Sequence, residues 1–180
     1  MATDLWHDVD PGTADAMHVI IETPKGSHNK YEIDKDTGLI KLDRANYNSS
    51  PYPFEYGFVP QTLWDDGDAL DVMLLATYPL FPGALVVARP VALMEMTDTG
   101  DQDNKIVAVP VDDQRWDDIK DVADLNQHSL KEFKHFFESI KLLRHKPGAV
   151  IVHGFKPMDE AKTAFKHGRE LYKQKYGAGK

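Results

Sequence analysis

Short runs rich in β-branched residues, broken by Pro, Gly and Asp, fill most of this chain, and helical periodicity appears only near its end. "HVIIET" (18–23) is the first run. "KYEIDKDTGLIKLDR" (30–44) reads as a hairpin turning at Asp36-Thr37-Gly38. Runs at 69–76, 84–96, 104–111 and 149–155 follow, with Pro90 expected to divide or bend the longest because it cannot donate to a central ladder. In "SLKEFKHFFESIKLLR" (129–144), Leu130, Phe133, Phe136, Phe137, Ile140 and Leu143 share one face at the 3.6 period, and Ser129 and Glu132 have capping-box spacing. A more charged second helix is expected over 158–177, stopped at Gly177. Short strands followed by two late helices predict an α+β fold, a small closed or nearly closed β-barrel with the C-terminal helices flanking it.

There is no internal repeat, low-complexity tract or flexible linker, so residues 1–180 are expected to form one domain, with 1–16 as a polar N-terminal arm. The first twenty residues contain no Lys or Arg and no apolar core of a signal peptide, and no apolar run approaches the ~20 residues of a membrane span. A cytoplasmic protein without a membrane partner is expected. With 29 acids against 21 bases, the net charge of −8 argues against a general nucleic-acid binder. The absence of cysteine excludes disulfides, thiolate metal sites and a Cys nucleophile.

The segment "WDDGDALDVMLLA" sets Asp66, Asp68 and Asp71 against an apolar run. An EF-hand counted from Asp66 would need Gly at position 71 and Glu at 77, where Asp and Thr stand. Alternation places Asp71 on the face of Met73 and Leu75, and a carboxylate at a core edge is costly unless paired or bound to a metal. The same theme recurs: Asp98, Asp101, Asp103 and Lys105 follow another apolar strand, Lys30 and Glu32 share a strand face, and Glu22 ends the first strand. Carboxylates that hold hard cations, beside basic groups that hold phosphate, would give this pattern.

The ordered set "VIIETPKG", "KYEID…G…LDR", "YPFEYGF", "DDGDALDV", "YPLFPG", "RPVALMEMTD", "DNKIVAVP" and "IKDVADL…FKHFFE" resembles the soluble family I inorganic pyrophosphatases of prokaryotic type, over roughly residues 17 to 155. The resemblance implies a five-stranded OB-like barrel and hydrolysis of pyrophosphate to two orthophosphates by a metal-activated water. It implies Asp68 as general base and Glu22, Glu32, Asp66, Asp71, Asp98 and Asp103 as metal ligands. Lys30, Arg44, Tyr56, Lys105 and Lys141 would hold the phosphoryl groups. It also implies three to four Mg²⁺ per site, replaceable by Mn²⁺ or other divalent ions, and a homohexamer. Charge agrees with this: the seven acids and four bases leave −3, and pyrophosphate adds roughly −3 to −4.

Two positions depart from the resemblance. Ile140-Lys141 stands where the family commonly has Tyr-Lys, which implies a lost hydrogen bond to phosphate worth on the order of 1–2 kcal/mol. Asp68-Ala69 replaces the more usual Asp-Pro. The alternative is a catalytically impaired barrel that binds a nucleotide, a phosphate ligand or single-stranded nucleic acid. The acidic balance, the lack of a basic stripe with interleaved aromatics and the retention of all seven acids argue against it.

Overall fold

The computed structural model describes residues 4–177. Its sheet closes on itself. β1 (Met17–Thr23) pairs antiparallel with β4 (Glu55–Phe58), β4 with β5 (Asp71–Leu74), and β5 runs parallel to β8 (Lys105–Pro110). β8 then pairs with β6 (Leu85–Asp98), whose start returns to β1 through Met17–Ala88 and Ile20–Leu85. The ring β1-β4-β5-β8-β6 is the expected five-stranded, OB-like barrel, a closure that removes free sheet edges. β7 (Asp101–Gln102) and β9 (Val150–Pro157) extend β6, and β2 (Asn29–Ile33) and β3 (Ile40–Ala45) form a separate hairpin.

Pro90 neither ends β6 nor breaks its pairing. It lies opposite Ala108, and the ladder slips between Pro90 and Ala92, so a bulge absorbs its missing donor. β4 is a strand that the sequence pattern does not announce, because all four of its residues are buried and no alternation marks it. Within β4, Gly57 allows β1 to come close: a Cβ there would lie 1.9 Å from the Ile20 carbonyl oxygen.

α1 spans Gln127–Ile140, two residues earlier at its start and four shorter at its end than the periodicity suggested. The reason is local. Asn126 is the N-cap, its side chain accepting from the His128 and Ser129 amides, so Ser129 lies inside the helix and no capping box forms there. Phe133, Phe136, Phe137 and Ile140 bury the apolar face of α1 against Tyr52, Phe54 and Tyr56, with Phe54 stacked on Phe137 at 5.6 Å. Burial of each such side chain contributes roughly 1.5–3 kcal/mol. α2 (Met158–Tyr176) stops where Gly177 adopts φ 87°, as expected, and buries Ala161, Ala164 and Phe165 against the other side of the barrel.

The expected polar arm carries an anchor. Trp6 is buried among Ile20, Phe58, Leu63 and Tyr172 and donates Nε1–H to the Thr62 carbonyl at 2.9 Å. Among the described residues no helix is long and apolar enough to cross a membrane.

Gly57→Ala should destabilise the chain by about 3 kcal/mol or more, because the clash is with backbone that the barrel cannot release. A denaturant midpoint equal to that of the parent would show that the β1–β4 approach is not constrained in this way.

Candidate active site

Strand register brings the acids together. The parallel β5–β8 ladder sets Asp71 directly opposite Lys105, and Asp103 lies two residues before Lys105 on the same approach. Lys105, 2% exposed, donates to Asp71 Oδ2 at 2.8 Å and to Asp103 Oδ1 at 2.7 Å. Burial pulls the Lys105 ammonium down, but the two carboxylates outweigh it and hold it above its ordinary range. The Tyr56 hydroxyl, from β4, donates to the same Asp71 oxygen.

A cavity of about 230 Å³ opens onto this trio and is lined by Lys30, Arg44, Tyr56, Asp66, Asp68, Asp71, Asp98, Asp103, Lys105 and Lys141. Every predicted site residue except Glu22 and Glu32 therefore faces one cleft. Those two line an adjoining chamber of about 450 Å³ that shares Lys30, Tyr56, Asp68 and Asp71 with it. Other basic groups also touch acids: Lys141 on Asp98, Lys35 on Asp68, Arg44 on Asp43, Lys41 on Glu32 (3.9 Å), and Lys30 on Glu32 (3.1 Å) and Asp43 (3.3 Å). Asp65, next to this cluster in sequence, faces His167 outside the cleft at 3.8 Å.

Ile140 lies on the cleft wall within the apolar face of α1, beside Phe136 and Phe137. It presents no polar atom there. Lys35, Asp43 and Tyr52 also belong to this neighbourhood and were not predicted. Lys35 sits in the β2–β3 turn, where alternation no longer tells which way a side chain points. The adjacency of Asp43 to Arg44 was the available signal for Asp43.

The acids are not fully compensated by these bases. Burial raises Glu22 to about 8, aided by the Asp71 charge, although its carboxylate accepts the Ile33 amide at 2.7 Å. Burial raises Asp66 to about 6, with Asp103, Asp71 and Asp68 adding to the shift. Asp71 is likewise raised by burial against the pull of Lys105. Among the described residues no three acidic or imidazole groups stand together as a ready-made coordination shell. The donor set nevertheless fits a hard cation. Its ligands are all carboxylate oxygens, and Asp71 and Asp103 already converge on a single positive charge, that of Lys105.

These shifts give the metal-free chain a defined pH dependence. A carboxyl whose folded pKa is raised holds a proton that the unfolded chain has released, so stability falls as pH rises through that window. For Glu22 the window runs from 4.5 to about 8, and for Asp66 from 3.8 to about 6. Asp34, Asp113 and Asp124, which are lowered, have contributed fully by pH 5 and do not oppose the trend. In chelator, the denaturant midpoint should be lower at pH 8 than at pH 5. A midpoint that is equal or higher at pH 8 would contradict the uncompensated charge.

Comparison with known proteins agrees with this geometry. The family model for inorganic pyrophosphatase matches residues 19–173. The chain is similar to the inorganic pyrophosphatase of Halobacterium salinarum, at 42% identity over 175 residues, 96% of this chain and 98% of that protein. It is also similar to that of Picrophilus torridus, at 44% identity over 171 residues, 94% and 96% of the two chains. The crystal structure of inorganic pyrophosphatase from Thermus thermophilus superposes with a TM-score of 0.90 at 41% identity, covering 95% of this chain and 99% of that one. A barrel whose acids and bases meet in one cleft, matched across nearly its whole length, belongs to the inorganic pyrophosphatase family.

Proposed function

We propose that this chain hydrolyses pyrophosphate to two orthophosphates in the cleft between β5, β8 and the C-terminal end of α1, with residues 1–180 acting as one domain. The observation that carries this reading is the buried Lys105 bridge between Asp71 and Asp103, opening onto a cavity that holds bases for phosphate beside acids in excess. Family membership supports a divalent-metal hydrolase. The all-oxygen donor set favours Mg²⁺, and the family resemblance implies three to four ions per site, with Mn²⁺ or other divalent ions able to substitute.

Glu22, Glu32, Asp66, Asp71, Asp98 and Asp103 would hold the cations. Bound divalent ions would supply charge neutralisation and a lowered pKa for water at the attacking position. The remaining work falls to the protein. Asp68, whose side chain is 60% exposed at the junction of the two chambers, takes the proton of the attacking water. Its backbone is fixed for this, since its amide donates to Asp66 Oδ1 at 3.0 Å and its carbonyl accepts from Trp64 at 2.7 Å.

Lys30, Arg44, Lys105 and Lys141 neutralise the two phosphoryl groups, and the Tyr56 hydroxyl orients Asp71 or donates to a phosphoryl oxygen. Closure of the cleft by the apolar wall of Phe136, Phe137 and Ile140 limits water on one side. A cytoplasmic homohexamer is the assembly and location we assign, from the resemblance of the chain to its family.

Orthophosphate release from pyrophosphate should appear with Mg²⁺ and vanish in chelator. Asp68→Asn should keep pyrophosphate binding while turnover drops by about 10²-fold or more, within the usual range for a lost general base. Release in chelator, or no release at any Mg²⁺ concentration, would sink the functional reading. Parental turnover in Asp68→Asn would remove Asp68 from the role of base and leave the rest standing.

A further inference from the structure

Next to Arg44, which lines the cleft, a second guanidinium shares one aromatic ring with it, though neither that ring nor the second guanidinium lines the cleft. Arg44, at the end of β3, has Cζ 5.3 Å from the Tyr47 ring centroid. Arg144, past the end of α1, has Cζ at 5.3 Å from the same centroid and donates Nη1–H to the Tyr47 hydroxyl at 2.5 Å. The loop carrying Tyr47 is tied to α1, since Asn48 Nδ2 donates to the Ser139 carbonyl at 3.4 Å. It is also braced within itself: Asn46 Nδ2 donates to the Ser50 carbonyl at 2.8 Å, and the Ser50 amide to Asn48 Oδ1 at 2.9 Å.

Two like charges gathered on one platform repel each other unless an anion joins them. Arg44 has a carboxylate partner in Asp43. Among the described residues, no carboxylate lies within ion-pair distance of Arg144. A cation past a helix end commonly serves the terminal carbonyls, but α1 ends at Ile140 and the Arg144 guanidinium is spent on Tyr47 instead. Arg44, Ile140 and Lys141 all line the cleft, and Ile140 offers that wall no polar atom.

We infer that Arg144, stacked with Arg44 on Tyr47, completes a paired-guanidinium subsite for a phosphoryl group at the Arg44 side of the cleft. The fork of a guanidinium matches two oxygens of a phosphoryl group, and the ring fixes both forks in advance. The same chemistry would recognise the outer phosphoryl of pyrophosphate or a departing orthophosphate. The inference rests on the proposed role of the cleft in holding phosphoryl groups, and adds a residue that neither alternation nor the family resemblance supplied.

The test titrates inorganic phosphate into the full chain with Mg²⁺ present and measures KM for pyrophosphate alongside. Arg144→Gln should raise the phosphate dissociation constant about tenfold, as for a lost hydrogen bond between charged groups, and Arg144→Lys should recover part of that loss. Weakened binding of both ligands assigns the subsite to the substrate's outer phosphoryl group. A loss confined to orthophosphate assigns it to the product. Phosphate affinity within twofold of the parent in Arg144→Gln, with Arg44→Gln clearly weakened, would overturn the inference alone. If neither variant weakens phosphate, the phosphoryl role of Arg44 falls with it.

Discussion

One buried ammonium organises the site. Lys105 lies inside the barrel wall with almost no exposure, and only the carboxylates of Asp71 and Asp103 make its charge tolerable there. That pairing depends on β5 and β8 running parallel and in register, which puts Asp71 opposite Lys105. The register depends in turn on β6, which provides the crossover between them in sequence and then closes the ring against β1. Barrel closure and assembly of the site are thus one event. A slip of one residue in β5 would move Asp71 to the opposite face and break the trio.

The sequence revealed the chemistry better than the wiring. Asp66, Asp68 and Asp71 stood out because charge abutted an apolar run, and Asp103 and Lys105 because they share a strand face. The structure gathers all of them. Strand order was beyond reach, since alternation reports which face a side chain takes and not which strand lies beside it. β4 hid for a related reason: Glu55 within it is fully buried, its carboxylate accepting the Lys25 and Leu80 amides at 2.9 and 3.1 Å, so the segment shows no polar face. Trp6 and Arg144 make their contacts with residues distant in the chain, and nothing local announces such pairs. The capping-box spacing of Ser129 and Glu132 pointed to a start two residues late, because the cap that forms is Asn126.

Electrostatics connects the fold to the chemistry. Lysines offset part of the cluster: Lys105, Lys141, Lys35 and Lys30 each rest on an acid. Burial first, and neighbouring carboxylates after it, keep Glu22 and Asp66 raised, so ionising them in the protein without cations is costly. A rigid scaffold that buries acids with too few bases favours hard divalent ions, because a bound cation supplies the countercharge that ionising those acids requires. Those ions in turn allow a polyanionic substrate to enter a site of its own sign.

The most direct measurement is the proton count on magnesium binding. Calorimetric titration of the full chain with Mg²⁺ at pH 7, in two buffers of different ionisation enthalpy, gives the protons exchanged per ion bound. Glu22, held at about 8, carries its proton at pH 7 and must lose it to become a ligand, so net proton release is predicted. Binding with no proton exchanged, or no binding of Mg²⁺, would contradict the account.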